Sequence, residues 1–245
     1  MTAEGTESCV LSVQKLNISF GSRAVIRDLS FAVAGGEVLA IIGPNGSGKT
    51  VLLRALLHQA PYSGTVQWAG GAKLGYVPQS IAADRQLPLQ VRDLLNAKAR
   101  ILKLPPAAVA EAAESVRLAP ELLTTRIGVL SGGQFQKMLI AFALLGDPNV
   151  LLVDEPTASL DELAQEHVYE LFEKLRAERH LTILLVSHDL SVVYQSATKV
   201  LCLSMDAPCW GAPRDILTPE NLAAVYSAAP KFYQHMHHHN YAAHE

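Results

Sequence analysis

Apolar residues along the chain occur in short continuous runs and in segments of helical periodicity, and together these predict a parallel sheet flanked by helices. Three short runs of branched apolar residues have the length of buried parallel strands, namely EVLAIIG, NVLLVDE and LTILLVSH. Helical periodicity follows the first run up to about His58 and follows the second run over residues 161–178. This alternation of strand, helix and strand predicts an α/β fold.

Two segments depart from that alternation. Residues 10–33 alternate loosely around a Gly-Ser pair and predict paired antiparallel strands, and TVQW predicts a further short strand. Residues 88–145 are rich in Ala and Leu at helical spacing, broken at LPP and SGG, and predict a mostly helical insertion. We expect one domain over residues 1–228, with the helical subdomain inserted at about 88–145, and a histidine-rich tail over 229–245.

Composition excludes several classes of function. The 245 residues are 49% hydrophobic and 18% charged, and a formal net charge of −3 gives no basic field for nucleic acid. The first ten residues are too polar for a signal peptide, and the apolar runs are too short to span a bilayer. Cys9, Cys202 and Cys209 have no CxxC spacing, which favours a reducing compartment without a structural zinc site. We expect a cytosolic protein that needs a partner chain for any role at a membrane.

The segment GPNGSGKT, residues 43–50, fits the phosphate-loop pattern G-x-x-x-x-G-K-[ST] between a predicted strand and a predicted helix. Its glycines allow successive backbone N–H groups to point at one anion, and the helix adds its positive dipole end. Lys49 would reach the β- and γ-phosphates, and the Thr50 hydroxyl would bind Mg²⁺. The alternative is a glycine-rich turn that matches by chance, which the strand–helix context disfavours. The pattern predicts binding of a nucleoside triphosphate.

Two carboxylates, Asp154 and Glu155, follow the predicted buried strand in NVLLVDEP. In a parallel sheet this strand end lies at the same edge as the phosphate loop. Asp154 would complete the Mg²⁺ shell with a hard oxygen ligand, and Glu155 would polarise an attacking water as general base. The alternative is a pair of solvated acids at a strand end.

The segment VLSGGQFQKMLIAFALL has the pattern of a helix start. Ser131 is a good N-cap, and Gly132 and Gly133 leave the first N–H groups of the helix uncovered. Uncovered N–H groups at a helix N-terminus form an anion site. On these residues alone, an ordinary serine-capped helix remains an equal alternative.

Six motifs in fixed order make roughly residues 10–228 resemble the ATP-binding-cassette (ABC) ATPases. In order, they are GPNGSGKT, YVPQ, LSGGQ, VLLVDEP, ASLD and the SH pair that ends at His188. In that family two cassettes dimerise head to tail, and each LSGGQ closes over the ATP held by the other's phosphate loop. The resemblance implies a homodimeric ATPase with ATP and Mg²⁺ as cofactors.

The resemblance also implies roles for residues that the pattern leaves neutral. Gln79 matches the residue that links the Mg²⁺ site to the helical subdomain and the membrane partner, and Asp161 matches a loop that faces the opposite subunit. His188 matches the switch histidine near the γ-phosphate. Phe20 matches the aromatic that stacks on adenine, with a core or strand-edge Phe as the alternative. The implied nucleotide contacts are Phe20, Gly43, Pro44, Asn45, Gly46, Ser47, Gly48, Lys49, Thr50, Val51, Ser131, Gly132, Gly133, Gln134 and Asp161. The implied catalytic residues are Lys49, Gln79, Glu155 and His188, and the implied Mg²⁺ ligands are Thr50, Gln79 and Asp154.

The chain departs from the family pattern on the signature helix. Many relatives carry Arg where this chain has Lys137 and Phe142. Phe142 removes a charge, which puts a salt bridge borrowed from the family in doubt. Because no phosphate-contacting or catalytic position is lost, we expect an active ATPase.

Three kinds of ABC protein fit these features. The first is the energy-coupling subunit of a membrane importer, which would lie at the inner face of the cell membrane and bind integral permease subunits. The second is a soluble cassette of translation or DNA repair, which typically has two cassettes or a long coiled-coil insertion, and the third is an iron–sulfur assembly cassette. The first is favoured, and the resemblance is greatest to bacterial zinc or manganese importers, which work with an extracytoplasmic metal-binding protein. Manganese or an iron siderophore remains an alternative cargo.

The C-terminal sequence PKFYQHMHHHNYAAHE holds five of the nine histidines. Neutral imidazole is a ligand for zinc and similar metals. His235 and His239 are four residues apart, and a helical turn would bring His238 to the same side, so these three form a candidate metal-binding face. The alternative is a solvated tail with incidental affinity for metal.

Overall fold

The computed structural model describes residues 9–79, 88–158, 160–204 and 208–226, and its strands form two sheets. The strands are β1 (Cys9–Phe20), β2 (Arg23–Ala34), β3 (Val38–Ile42), β4 (Ser63–Trp68), β5 (Leu74–Val77), β6 (Val150–Asp154), β7 (Thr182–Val186), β8 (Lys199–Cys202) and β9 (Cys209–Gly211). The smaller sheet is antiparallel with the order β2-β1-β4. The larger sheet has the order β5-β6-β7-β3-β8-β9 and is parallel except for the pair β8 and β9.

Helices lie between these strands and at the end of the described chain. They are α1 (Lys49–Leu56), α2 (Val91–Ile101), α3 (Ala108–Ser115), α4 (Gly132–Leu144), α5 (Glu162–Arg179), α6 (Leu190–Ser196), α7 (Pro213–Ile216) and α8 (Pro219–Tyr226), with short 3₁₀ turns at Pro120–Thr124 and Ile127–Val129. Among the described residues, no helix combines the length and the hydropathy that a membrane crossing requires.

The parallel strands are buried on both faces, so alternate side chains enter different hydrophobic clusters. On one face, Leu184 and Val186 pack with α1 and with the antiparallel sheet. On the other face, Ile183 and Leu185 pack with the helices α2 to α5. A third cluster joins β3 and β8 to the helices α6 to α8.

The α/β fold class predicted from the sequence is confirmed, with its parallel core sheet and its antiparallel β-subdomain. The helices α2 to α4 lie within the predicted helical insertion, whose status as a separate subdomain stays a prediction. Strand β5 was not predicted because it is four residues long and contains Gly75. A Cβ at Gly75 would lie 2.6 Å from Leu151 Cδ2 and 2.9 Å from the Ala143 carbonyl oxygen, so close packing explains the glycine in this strand.

The strand order brings the chemically interesting segments to one edge. The central strands β3, β6 and β7 are parallel, and their carboxyl ends are followed by Gly43, Glu155 and Ser187. The pairing of Asp154 with Val186, and of Ile41 with the same valine, sets these ends level with one another. Ligands of open α/β sheets bind at such carboxyl ends.

Candidate nucleotide-binding site

The loop between β3 and α1 has a backbone that requires glycine at two positions. Gly43 has φ 151° and Gly48 has φ 99°, and Gly48 caps the N-terminus of α1. A Cβ at Gly43 would lie 2.5 Å from the Leu203 carbonyl oxygen, and a Cβ at Gly48 would lie 2.6 Å from Val25 Cγ1. The loop therefore packs tightly between β8 and β2, with its N–H groups at a helix N-terminus.

Lys49 is held inside this loop. Its side chain is buried, and Nζ donates to the carbonyl oxygens of Gly43 at 3.0 Å and Pro44 at 3.3 Å. Glu155 Oε1 lies 3.6 Å from the same ammonium. Ser47 Oγ is buried and has no hydrogen-bond partner among the described residues. A buried ammonium, an unpaired hydroxyl and a helix N-terminus together fit the oxygens of a bound phosphate chain.

Asp154 forms the second part of the site. The residue is 1% exposed, and its Oδ1 accepts a hydrogen bond from Thr50 Oγ1 at 3.2 Å, while Oδ2 accepts one from Tyr76 Oη at 3.4 Å. Burial raises the pKa of Asp154, and the Thr50 hydrogen bond partly offsets this effect. A divalent cation would compensate such a buried carboxylate, and the hydroxyl and carboxylate oxygens are the hard ligands that Mg²⁺ prefers. These residues therefore fit a magnesium ion bound beside the phosphates.

Glu155 joins the two parts. Its backbone has φ 43°, an uncommon conformation for a residue with a side chain, and its N–H donates to the Val186 carbonyl oxygen at 3.1 Å. Oε2 accepts a hydrogen bond from Gln79 Nε2 at 2.9 Å, while Oε1 faces Lys49. Strained backbone of this kind persists only where the surrounding structure holds it in place, and it is concentrated at functional sites.

Comparison with known proteins agrees with this geometry. The family described as ABC transporter matches residues 26–158. The chain is 38% identical to the zinc import ATP-binding protein ZnuC of Yersinia enterocolitica, over 96% of this chain and 92% of that protein. It is 40% identical to ZnuC of Cereibacter sphaeroides, over 89% and 88% of the two chains. This chain belongs to the ABC transporter family.

Solved structures of ABC transporters share the fold. A transporter described as metal-chelate type, in an inward-facing conformation, has a TM-score of 0.82 and 29% identity, and covers 90% of both chains. A bacterial Atm1-family ABC exporter with ATP bound has a TM-score of 0.75 and 24% identity, and covers 94% of this chain and 43% of that chain. Because an exporter shares the fold, the fold of this ABC protein does not give the direction of transport.

The signature segment of this ABC protein lies at the start of α4. Ser131 caps the helix: its Oγ accepts from Gln134 N at 3.3 Å, and its own N–H donates to Gln134 Oε1 at 3.0 Å. Asp161 caps α5 in a similar way, accepting from Ala164 N at 2.9 Å. Within the described chain, neither capping side chain hydrogen-bonds to the phosphate loop. Their predicted nucleotide contacts therefore stay a prediction for a dimer.

Two of the predicted residues, His188 and Phe20, stand apart from this network. His188 follows β7 at the expected edge and is exposed, and no hydrogen bond joins it to Glu155 in the part of the chain that the structure describes. Phe20 is 52% exposed at the end of β1, which excludes a core phenylalanine, while a strand-edge phenylalanine and the stacking role both fit this position. His235, His238 and His239 lie outside the described residues.

The sequence analysis missed Tyr76 as part of the site. Burial, followed by the charge of Asp154, raises the pKa of Tyr76 to about 12, so the hydroxyl stays protonated and donates to that carboxylate. The only signal was an aromatic residue three positions before Gln79. Its contact with Asp154 follows from the pairing of β5 with β6, which a sequence pattern does not specify.

Phe142, where many relatives carry Arg, also has a structural explanation. Lys98 Nζ donates to the Phe142 carbonyl oxygen at 2.6 Å and lies 4.5 Å from the centre of its ring. Lys98 therefore places a cation from α2 beside the last turn of α4, where a positive charge interacts favourably with the helix dipole.

Proposed function

We propose that this chain is the ATP-hydrolysing, energy-coupling subunit of a metal importer, with zinc as the first candidate cargo. The observation that supports ATP hydrolysis best is the joined pair of contacts at Glu155, with Lys49 on one carboxylate oxygen and Gln79 on the other. The proposed cargo rests on the zinc import relatives, which match 36–40% of the aligned residues over most of both chains.

Lys49 and the loop backbone would hold the triphosphate. Phosphate oxygens would replace the carbonyl oxygens of Gly43 and Pro44 as acceptors for the Lys49 ammonium, which is already buried at that position. Thr50 and Asp154 would hold Mg²⁺, which when bound neutralises charge on the phosphate oxygens. The adenine would stack on the exposed ring of Phe20.

Glu155 would act as the general base. A carboxylate that already accepts from Gln79 and faces Lys49 is held at a fixed position, so it can orient a water for in-line attack and take its proton. His188 emerges from the adjacent strand at the same edge and would assist on the side of the γ-phosphate. Gln79, which contacts Glu155, would link the nucleotide-bound or empty state of this site to the position of the helical insertion.

A second copy of the chain would complete the site. The start of α4, where Ser131 and Gly132 are exposed and Gly133 is half-buried, offers helix N–H groups to a second molecule. In a head-to-tail homodimer these groups would close on the partner's ATP, with Asp161 at the contact between subunits. Closure would move a membrane permease at the inner face of the membrane, with an extracytoplasmic binding protein delivering the metal.

The test is reconstitution of this chain in vesicles with a polytopic permease of a zinc importer. We expect zinc accumulation that requires Mg²⁺ and ATP and that is lost in Lys49→Ala, with the exposed Lys73→Ala as the matched control. Accumulation of manganese or an iron chelate instead of zinc would overturn the proposed cargo but leave the proposed ATPase activity intact. Absence of magnesium-dependent ATP turnover would overturn both.

The histidine tail would bind the transported metal on the cytosolic side. Zinc titration of the full chain should change its ATPase rate, because ligands such as His235 and His239 bind zinc near neutral pH. The matched variant ends after Phe232 and keeps every described residue. An identical zinc response in the two proteins would remove the tail from the proposal.

A further inference from the structure

Cys202 and Cys209 face each other across two strands. They are direct partners in the antiparallel pairing of β8 with β9, and both thiols are free. Directly opposite residues of an antiparallel pair have Cα atoms about 4.5–5.5 Å apart, which lies within the span that a disulfide bridges. Because the two residues are already direct neighbours in this pairing, a disulfide between them requires no change in the register of the two strands.

This pair lies directly beside the phosphate loop. Cys202 pairs with Ile42, the residue before Gly43, and Leu203 N donates to the Ile42 carbonyl oxygen at 2.8 Å. The Leu203 carbonyl oxygen lies only 2.5 Å from the position that a Cβ of Gly43 would take. A bond at Cys202 would therefore tie β9 to the strand against which the loop packs.

We propose that Cys202 and Cys209 are a redox-modification site, which a peroxide-class oxidant converts into an intrachain disulfide. The pair has no assigned role in nucleotide binding, and this inference does not depend on the proposed function. Metal chelation is a weaker reading, since within the described ranges no cluster of three or more His, Cys, Asp or Glu side chains is present to complete a metal site.

The surroundings of the two thiols set the order of reaction. Cys202 is fully buried among apolar residues of β3, α6 and α8, and burial, followed by the hydrogen bond with Cys209, raises the pKa of its thiol. Cys209 is half-buried at the end of the sheet and is the thiol that solvent reaches. Cys209 is therefore the sulfur that meets the oxidant, and Cys202 resolves it.

The two steps balance. The Cys209 thiolate attacks one peroxide oxygen, the O–O bond breaks, and hydroxide leaves to become water, so Cys209 becomes a sulfenic acid. The Cys202 sulfur then attacks the Cys209 sulfur, the S–S bond forms as the S–O bond breaks, and the second hydroxide leaves with the Cys202 proton as water. The two sulfurs supply the two electrons that reduce the peroxide, and the products are one disulfide and two waters.

Peptide mapping of the full chain tests the proposal without any substitution. Trypsin places both cysteines in one peptide, 200–214, whereas Cys9 lies in the peptide 1–15. After treatment with hydrogen peroxide and alkylation under denaturing conditions, we expect the peptide 200–214 to carry no alkyl group and to be two hydrogens lighter. Prior reduction with dithiothreitol should restore two alkyl groups.

Variants separate the roles of the two sulfurs. In a Cys9→Ser background, Cys202→Ala should leave a sulfenic acid at Cys209 that dimedone traps, and Cys209→Ser should leave Cys202 unmodified. Cys9→Ser alone is the matched control. It should form the Cys202–Cys209 disulfide as fully as the natural chain does, because Cys9 is exposed on β1, in the other sheet. Two alkylated thiols after oxidation would overturn the proposal, as would a sulfinic acid at Cys209 beside a free Cys202 or a disulfide that involves Cys9.

Discussion

The phosphate loop and the start of α4 both present helix N–H groups, yet they differ in how the chain surrounds them. Around the loop, Lys49, Glu155 and Gln79 form one series of contacts, and Thr50 and Asp154 form another. At the start of α4 the side chains of Ser131 and Gln134 each accept a hydrogen bond from the other residue's backbone N–H. The first region is closed within one chain, and the second faces solvent.

Gly43 in the phosphate loop and Gly133 at the start of α4 show the same difference between the two regions. At Gly43 a methyl group would meet a backbone oxygen at 2.5 Å, whereas at Gly133 it would meet only the Ala164 Cβ at an ordinary 3.7 Å. Gly43 is thus required by packing inside the chain. Among the described residues, no contact requires a glycine at position 133, which fits a surface that binds a second molecule.

The largest expected effect is that of Glu155→Gln. An amide keeps the shape and a hydrogen bond with Gln79 but does not accept a proton from water, so ATP hydrolysis should fall by at least about a hundredfold. ATP affinity should stay within about twofold, since the phosphate contacts of Lys49 and the loop remain. Single-turnover hydrolysis and equilibrium nucleotide binding measure the two quantities.

The matched control for that variant is Glu162→Gln, an exposed acid in the first turn of α5. It should hydrolyse ATP at the rate of the natural chain. The Glu155 variant saturated with ATP should also form dimers, which sedimentation detects. An unchanged hydrolysis rate in Glu155→Gln would show that the base lies elsewhere.

The second prediction exchanges the two glycines for alanine. Gly43→Ala should weaken ATP binding in the single chain, because the methyl group displaces the loop from Leu203. Gly133→Ala should leave that binding unchanged and lower ATP turnover by at least about tenfold, because the methyl group covers N–H groups meant for the partner's nucleotide. Nucleotide binding measured at a low protein concentration reports the effect of Gly43→Ala on the single chain. ATP turnover measured at increasing protein concentrations reports the effect of Gly133→Ala on the dimer.

Equal loss of ATP affinity in both alanine variants would contradict the division between a closed and an open region. A normal melting temperature for Gly133→Ala is the necessary control, because alanine is the better helix former. Loss of ATP-driven dimerisation in the double variant Glu155→Gln, Gly133→Ala would place the defect at the subunit contact.

The residues that the sequence predicted best are those whose motif fixes both the chemistry and the backbone. The loop 43–50 follows β3, Asp154 ends β6 and Glu155 follows it, so the position of these residues at the sheet edge follows from the two strands. Tyr76 was missed because its role depends on the pairing of β5 with β6. Cys202 and Cys209 were judged by spacing, whereas their proximity arises from the pairing of β8 with β9.

The third prediction concerns Tyr76→Phe, which removes one hydrogen bond from the buried Asp154. Since that contact is long, at 3.4 Å, its loss should cost about 1 kcal/mol or less. The Mg²⁺ concentration for half-maximal ATPase activity should therefore rise by about fivefold or less. Tyr62→Phe is the control, because its hydroxyl bonds His58 on the surface. An unchanged Mg²⁺ dependence would exclude Tyr76 from positioning the carboxylate.

The smallest expected effect concerns Lys98, which belongs to neither region and connects α2 with α4. Burial lowers the pKa of Lys98 from 10.5 to about 8. Between these values the unfolded chain holds a proton that the folded chain has released, so unfolding takes up a proton. The free energy of unfolding should therefore rise with pH from about 8 to 10.5, relative to a variant without the lysine.

Lys98→Met is that variant, and the difference between its stability and that of the natural chain removes the contribution of every other titrating group. Urea unfolding at several pH values gives the difference, and Lys73→Met, at an exposed position, should show no such trend. A difference that stays flat from pH 8 to 10.5 would mean that the Phe142 carbonyl and ring stabilise the ammonium enough to cancel the effect of burial. In that case Lys98 would serve α4 as a permanent charge, as an arginine at position 142 would.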